Sequence, residues 1–432
     1  MRRLIAFLLF VFVFVVMAVA VVWFVFVRQT VADIVCLQQT RPTLSGEAHV
    51  HDGGRFLIHY TLTGQDATTA EFVAQVAAAL YRIWDVQIAQ QDWDEPAPDC
   101  GEGGDNRLDV YLMDTIGRQG VFGYTQPQSL ISSDPEMLIP DDASAYSYLV
   151  LDNDFSTRAL PLESMRSTAA HEFNHIVQFN YVRSSETLPF SEASATWQEI
   201  QTFPENDFIS SFTADLFTTL DECPGQFGAG FRPYGEWLLM DSLAQDYGAS
   251  VVRRLWEAMT EGEGMMAFYT LARRLNVSPQ EIVQRFAVRN LLLDYALAPR
   301  FTAQIPLEAT LTDFGNLSPL RDGVQQLGVD YVHIANRRRY TFALEQDHFS
   351  LYVVGINQGA NRATVYHLGR GGTVDTTAFD WAYLLVFNTA TFDHPNNCVT
   401  TNWRVVVSDG RRNPLTPALD EVWDATNFIP VQ

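Results

Sequence analysis

The sequence predicts an α+β fold: a mixed sheet with its helices, then a helical stretch, then a β-rich unit. Three observations predict it. Strand-like alternation and long amphipathic runs are interleaved between residues 54 and 182. Between 183 and 310 amphipathic runs follow one another with little strand pattern. From about 312 short β-rich runs recur, spaced by Gly, Asn and Asp, which is the texture of an antiparallel sandwich.

The 432 residues leave room for two or three domains. The chain begins Met1-Arg2-Arg3 and then runs from Leu4 to Val27 without a charge, closed by Arg28. A helix of that length spans about 36 Å, more than the roughly 30 Å of a bilayer core, so residues 1–28 are expected to form a transmembrane signal anchor. The rival reading is a secreted chain, because Ala18-Val19-Ala20 has the small-x-small form of a cleavage site. Val21 to Val27 stays apolar beyond it, which suits the anchor. Arg2 and Arg3 outweigh Arg28, so the N-terminus is expected in the cytoplasm and the remainder outside the cell membrane. Residues 29–53 read as a polar linker. A net charge of −23 argues against nucleic acid and against docking of the soluble part on anionic lipid.

Within 54–182, Arg55 to Leu62 alternates like a strand, and Thr68 to Ile88 forms an amphipathic helix with Phe72, Val76, Leu80 and Ile83 toward a core. Residues 92–106 are rich in Asp, Glu, Pro and Gly and read as a loop. Leu108–Met113, Val121–Tyr124 and Ser147–Asp152 are expected strands. Pro161 suits a first helical position, and Leu162, Met165, Ala169, Phe173 and Ile176 form an apolar stripe over a helix from Pro161 to Val182. His171, His175 and Gln178 lie on another face.

That helix carries His171-Glu-Phe-Asn-His175, an HExxH motif. Two histidines four apart stand one above the other, so both imidazoles reach one metal ion, and Glu172 beside them can take a proton from a water. Core histidines sit on the apolar face, and these two do not. A catalytic zinc takes three protein ligands. Gln178 and Tyr181 stand where a metzincin would place its glycine and third histidine, and no histidine occurs between His175 and His333. The run Pro189-Phe-Ser-Glu-Ala-Ser-Ala-Thr-Trp-Gln-Glu199 offers Glu192, with small residues that let a second helix come close.

Here the chain resembles the gluzincins, zinc metallopeptidases with HExxH followed by a glutamate on the next helix. His171, Glu172, His175 and Ser191-Glu192-Ala193-Ser194-Ala195-Thr196-Trp197 carry the resemblance, which extends in layout from Arg55 to Leu297. Two features depart from the pattern: the gap from His175 to Glu192 is short, and Thr196 stands where an acid often follows the third ligand. Glu199 is either a partner of a ligating histidine or a solvated acid. The resemblance implies a zincin-like catalytic domain over 54–310, with a mixed-sheet upper half (54–182) and a helical lower half (183–310). It also implies Zn²⁺ on His171, His175 and Glu192, and an edge strand, taken as Ser147–Asp152, that pairs with substrate backbone. An oxyanion donor is needed as well. Tyr234 and Tyr181 are the candidates.

Expected helices of the lower half are 205–220, 234–246, 249–261, 264–275 and 279–296, the last with the capping signature Ser278-Pro279-Gln280-Glu281. The sandwich, 311–410, is expected from Tyr331–Ile334, Arg339–Leu344, Phe349–Val354, Thr364–Leu368, Ala382–Asn388 and Trp403–Ser408, with 411–432 a tail. Its histidines show no ligand spacing.

Cys36, Cys100, Cys223 and Cys398 form no CxxC pair. In an exported region they suggest two disulfides; of three pairings, Cys36–Cys100 with Cys223–Cys398 is the expected one. Asp152-Asn153-Asp154 and 99–105 cluster the oxygen ligands that Ca²⁺ takes, but neither has EF-hand spacing and turns explain both. The function expected is an outward-facing zinc endopeptidase acting on protein or peptide substrates. The alternative is a non-catalytic surface binding or adhesion protein with a structural zincin-like half and a ligand-binding sandwich.

Overall fold

The computed structural model describes residues 40–99, 101–128, 145–182, 184, 187–206, 208–226, 230–301, 303–320, 323–391, 398–416 and 420–424. The expected anchor, Cys36 and Cys100 lie outside these. Among the described residues no helix is long and apolar enough to cross a membrane.

The first sheet has five strands: β1 (Ala48–Asp52), β2 (Phe56–Thr61), β3 (Leu108–Met113), β4 (Gly123–Gln128) and β5 (Tyr146–Asp152), in the order β1-β2-β3-β5-β4. β2, β3 and β5 run parallel, and β1 and β4 are antiparallel to their neighbours. Strand β1 falls inside the expected linker 29–53. It belongs to the sheet because its backbone pairs residue by residue with β2. The edge is also corrected: β5 lies between β3 and β4, so among the described residues the edge strand beside the motif is β4, not Ser147–Asp152. Sequence order placed β5 next to the motif helix, but the antiparallel return of β4 caps it.

The inner face of this sheet, with Phe56, Ile58, Val110, Leu112, Leu149 and Leu151, packs on helices α1 (Ala70–Trp84) and α3 (Pro161–Gln178). Thr69 caps α1 by accepting from the Phe72 amide at 3.1 Å. Instead of continuing to Ile88 as an α-helix, α1 opens into a π-helical turn over Asp85–Gln90. Phe173 of α3 is fully buried between Phe56 and Trp84, ring centroids 6.3 and 6.0 Å away. Burial of such a ring contributes about 1.5–3 kcal/mol and fixes which face of α3 turns from the core. A short helix, α2 (Thr115–Gln119), follows β3.

The outer face is buried too. Asp109 and Asp99 share the Arg41 guanidinium, at 3.3 and 2.6 Å, and His59 contacts Asp109 at 2.7 Å. Burial first, then the adjoining Asp109 carboxylate, pushes the Asp99 carboxyl up to about 7 against the pull of Arg41. A carboxyl raised above its unfolded value of 3.8 stabilises the fold below about pH 4 and loses that contribution as pH rises through about 7. The expected result is that Asp99→Asn gains stability relative to the unaltered chain between pH 5 and pH 8. Urea melts of both proteins at the two pH values measure it, and a pH-independent difference would mean Asp99 is ionised throughout.

The lower half is helical. It comprises α4 (Leu188–Thr202), α5 (Thr213–Phe217), α6 (Arg232–Gly235), α7 (Trp237–Tyr247), α8 (Ser250–Met259), α9 (Met265–Leu275) and α10 (Pro279–Leu292). The run expected at 205–220 is instead a 3-10 turn, Phe208–Phe212, followed by α5. Ser278 caps α10 by accepting from the Glu281 amide at 3.0 Å.

All six expected C-terminal strands are present, as β8 (Val329–Ile334), β9 (Arg339–Leu344), β10 (Phe349–Asn357), β11 (Arg362–Gly369), β13 (Trp381–Asn388) and β14 (Val405–Asp409). Four more join them: β6 (Ala309–Leu311), β7 (Gly315–Leu317), β12 (Gly371–Asp375) and β15 (Asp420–Asp424). They form a sheet β15-β11-β10-β13-β8-β6 and a sheet β12-β9-β14-β7, with a shared core that includes Phe342, Leu351, Leu384, Trp403 and Val405. Two expectations change. The pairing is not wholly antiparallel, since β6 runs parallel to β8, and the expected tail contributes β15. The larger sheet turns its other face to the helices: the Tyr331 hydroxyl donates to the Ala287 carbonyl at 2.9 Å and Trp423 Nε1 to Asp294 at 2.9 Å. Cys223 and Cys398 form the expected disulfide across this junction.

Candidate metal centre

Helices α3 and α4 pack side by side, and the small side chains Ser167, Ser191 and Ser194 lie between them, each in contact with the opposite helix. The approach brings His171, His175 and Glu192 together, with one ligand atom from each lying within 4.8 Å of the others. His171 Nε2 is 3.1 Å from Glu192 Oε2, and His175 Nε2 is 3.8 Å from the same oxygen. Two ligands about 2.1 Å from a tetrahedral metal ion stand about 3.4 Å apart, close to the two imidazole–carboxylate distances, so the three side chains could hold a metal ion. Among the described residues this is the one such group of three or more His, Cys, Asp or Glu side chains.

Glu199 is buried, and the solvated reading does not hold. Its Oε1 accepts from His171 Nδ1 at 2.9 Å, and its other oxygen accepts the Ser167 hydroxyl proton. This leaves Nε2 of His171 directed at Glu192. Burial pulls the His171 pKa down, but hydrogen bonds and charge from Glu192 and Glu199 outweigh it and raise it well above the usual value. Burial likewise pushes the Glu192 carboxyl up, while the charge of His175 and the contacts of His171 and Tyr234 bring it down to about 2. Glu192 is therefore held as an anion at the convergence point.

Glu172 lines the same cleft, and its backbone carbonyl accepts from Thr125 Oγ1 of β4 at 2.7 Å, tying the motif helix to the sheet edge. Tyr234 of α6 stacks on His171, with centroids 5.7 Å and planes 16° apart, and hydrogen-bonds Glu192. Burial first, then the charges of Glu192, Glu172 and Glu199, raises its pKa, so the phenol keeps its proton. Tyr181 is elsewhere: its hydroxyl accepts from the Asp94 amide at 3.4 Å and its ring meets Trp93. The cleft holds about 570 Å³, with Tyr124, Thr125 and Pro127 of β4 on one wall and Phe179, Val182, Leu188 and Trp256 at its apolar end. The carboxylates of Asp152 and Asp154 accept backbone amides of Phe155 and Ser156, as turn residues do, and Asp99 is held by Arg41.

Sequence reasoning missed Gln87, Asn174 and Ser191, which form a buried polar network behind His175. Gln178 stands three residues after His175 on the same helix face, and that i, i+3 spacing was the available signal; Gln87 and Ser191 lie on other elements and left none.

Fold and site together define an α+β protein with a cleft whose two imidazoles and one carboxylate could hold a metal ion. Residues 158–387, more than half the chain, match the family described as "Family of unknown function (DUF6055)", and the chain belongs to that family. No curated protein matches it. Similar solved structures include the Salmonella Typhimurium PliG, a periplasmic lysozyme inhibitor of g-type lysozyme, 11% identical over 24% of this chain and 100% of that one, with a TM-score of 0.18. A mutant of the Escherichia coli inhibitor PliG-Ec is 10% identical over the same shares, with a TM-score of 0.15. Likeness that loose bears on neither fold nor function.

Proposed function

We propose that this chain is a zinc-dependent peptidase of the gluzincin type with a zincin-like catalytic half. The observation that carries the reading is the convergence of His171, His175 and Glu192 beside a free carboxylate, Glu172, in an open cleft. When bound, zinc supplies Lewis acidity toward a carbonyl and lowers the pKa of a water toward about 7. Glu172 takes the proton of the attacking water and returns it to the leaving nitrogen. The Tyr234 phenol, kept protonated by its surroundings, donates toward the negative charge that develops on the carbonyl oxygen. Edge strand β4 offers main-chain groups to an extended peptide, which suits an endopeptidase. The Cys223–Cys398 disulfide supports an oxidising compartment, and the apolar run Leu4–Val27 supports a membrane anchor with the catalytic half outside.

The test uses the full chain in detergent. About one zinc per chain, casein cleavage that stops with a chelator and recovery on adding zinc are expected. Absence of bound zinc, or cleavage indifferent to the chelator, would remove this reading.

A further inference from the structure

A chain of side-chain amides runs from the π-helical turn at 85–90 to the back of His175. Gln87 is wholly buried, and its amide faces the Ala170 carbonyl at 3.0 Å. A backbone carbonyl can only accept, so the nitrogen of Gln87 must face it. The remaining carbonyl of Gln87 accepts from Asn174 Nδ2 at 3.1 Å, and Asn174 Oδ1 accepts from Gln178 Nε2 at 2.6 Å. The same Gln178 nitrogen lies 3.2 Å from the Ser191 carbonyl, a second backbone anchor, and 2.9 Å from Ser194 Oγ, so its two hydrogens are shared among three acceptors. The orientation of Gln178 is thereby fixed from both directions.

Gln178 Oε1 is what remains, and it lies 2.9 Å from His175 Nδ1. It also accepts the Ser191 hydroxyl proton at 2.5 Å. With that proton committed, Ser191 Oγ, 3.0 Å from Nδ1, can only accept from the ring. Both partners of Nδ1 are acceptors, so the hydrogen of the neutral imidazole sits on Nδ1.

We infer that Gln178 is a positioning residue that holds His175 as its Nδ1–H tautomer, leaving the Nε2 lone pair for a cation shared with His171 and Glu192. It is the neutral counterpart of Glu199 on His171. One histidine is backed by a carboxylate and the other by an amide anchored, through Asn174 and Gln87, to a carbonyl of the motif helix itself. The purpose of the arrangement rests on the metal reading above; the tautomer does not.

The experiment labels histidine with ¹⁵N in the full metal-free chain and reads long-range ¹H–¹⁵N correlations at alkaline pH, with His175→Gln assigning the resonance among nine histidines. A single Nδ1–H tautomer is expected. Gln178→Met frees the Ser191 hydroxyl to donate, so a mixture of tautomers and an about 10–100-fold weaker affinity for Zn²⁺ in chelator competition are expected. Gln178→Glu restores the acceptor and should recover the tautomer. Gln87→Met removes the remote anchor while the Ser191 carbonyl still holds Gln178, so a smaller loss of affinity is expected, measurable even if the substitutions at 178 do not fold. An Nε2–H signal or a mixture in the unaltered chain overturns the inference, as does unchanged zinc affinity in folded Gln178→Met. An Nδ1–H tautomer in a chain that cleaves no peptide would support the inference and count against the peptidase reading alone.

Discussion

Replacing Glu172 by Gln is expected to leave bound zinc unchanged and lower kcat by about 10²–10⁴-fold, the usual worth of a general base. The amide keeps the volume of the carboxylate and can still hydrogen-bond a water, but it cannot take its proton. On the proposed ligand set of His171, His175 and Glu192, metal retention follows because Glu172 is not among the three donors. The link from Thr125 to the motif helix also survives, since it uses the backbone carbonyl of residue 172. Zinc analysis and initial rates on casein measure both quantities. Turnover within a few-fold of the unaltered chain would assign the proton transfer elsewhere.

Arg232→Met is expected to destabilise the chain by about 3–5 kcal/mol, the cost of stripping one partner from a buried ion pair. Arg232 and Glu236 are each 1% exposed and flank Tyr234 on the short helix α6 and its end. The guanidinium donates to Glu236 Oε1 at 2.5 Å, to Thr219 Oγ1 at 2.9 Å and to the Thr219 carbonyl at 3.3 Å. Glu236 accepts the Gly225 amide at 3.0 Å, where the backbone takes a left-handed φ of 67°. Burial already raises the Glu236 carboxyl against the pull of Arg232. Without Arg232 it takes up a proton more readily, so the deficit should shrink as pH falls. Substituting Glu236→Leu as well removes the stranded acid and recovers part of the loss, but leaves the Gly225 amide without its acceptor at about 1–3 kcal/mol. Urea melts of the two single variants and the double variant measure the coupling, and strictly additive losses would show that the pair does not act as a unit.

Local spacing explains what could be read early. His171, Glu172 and His175 share a helix, and an i, i+4 pair faces one way wherever that helix packs. The strands from Val329 to Asp409 announced themselves by β-rich runs between turn residues, and Ser278 and Glu281 by their capping interval. Other features left no local trace. Strand β1 is short and polar and becomes a strand through pairing with β2. β4, rather than β5, forms the edge because an antiparallel return fills the flank of β5. The role of Glu199 was open until α4 met α3 and set its carboxylate on His171.

The sequence by itself determined the imidazole pair and its acid, the order of mixed, helical and β-rich regions, and the acidic balance. Each depends on neighbours within a few residues or on bulk composition. The tertiary structure decided that Glu192 closes the triad, that Tyr234 stacks on His171, and that Gln87 orients an amide chain ending on His175. Those outcomes need surfaces far apart in the chain to meet. Periodicity tells which residues face inward, but only the close approach allowed by small residues between α3 and α4 selects what they face.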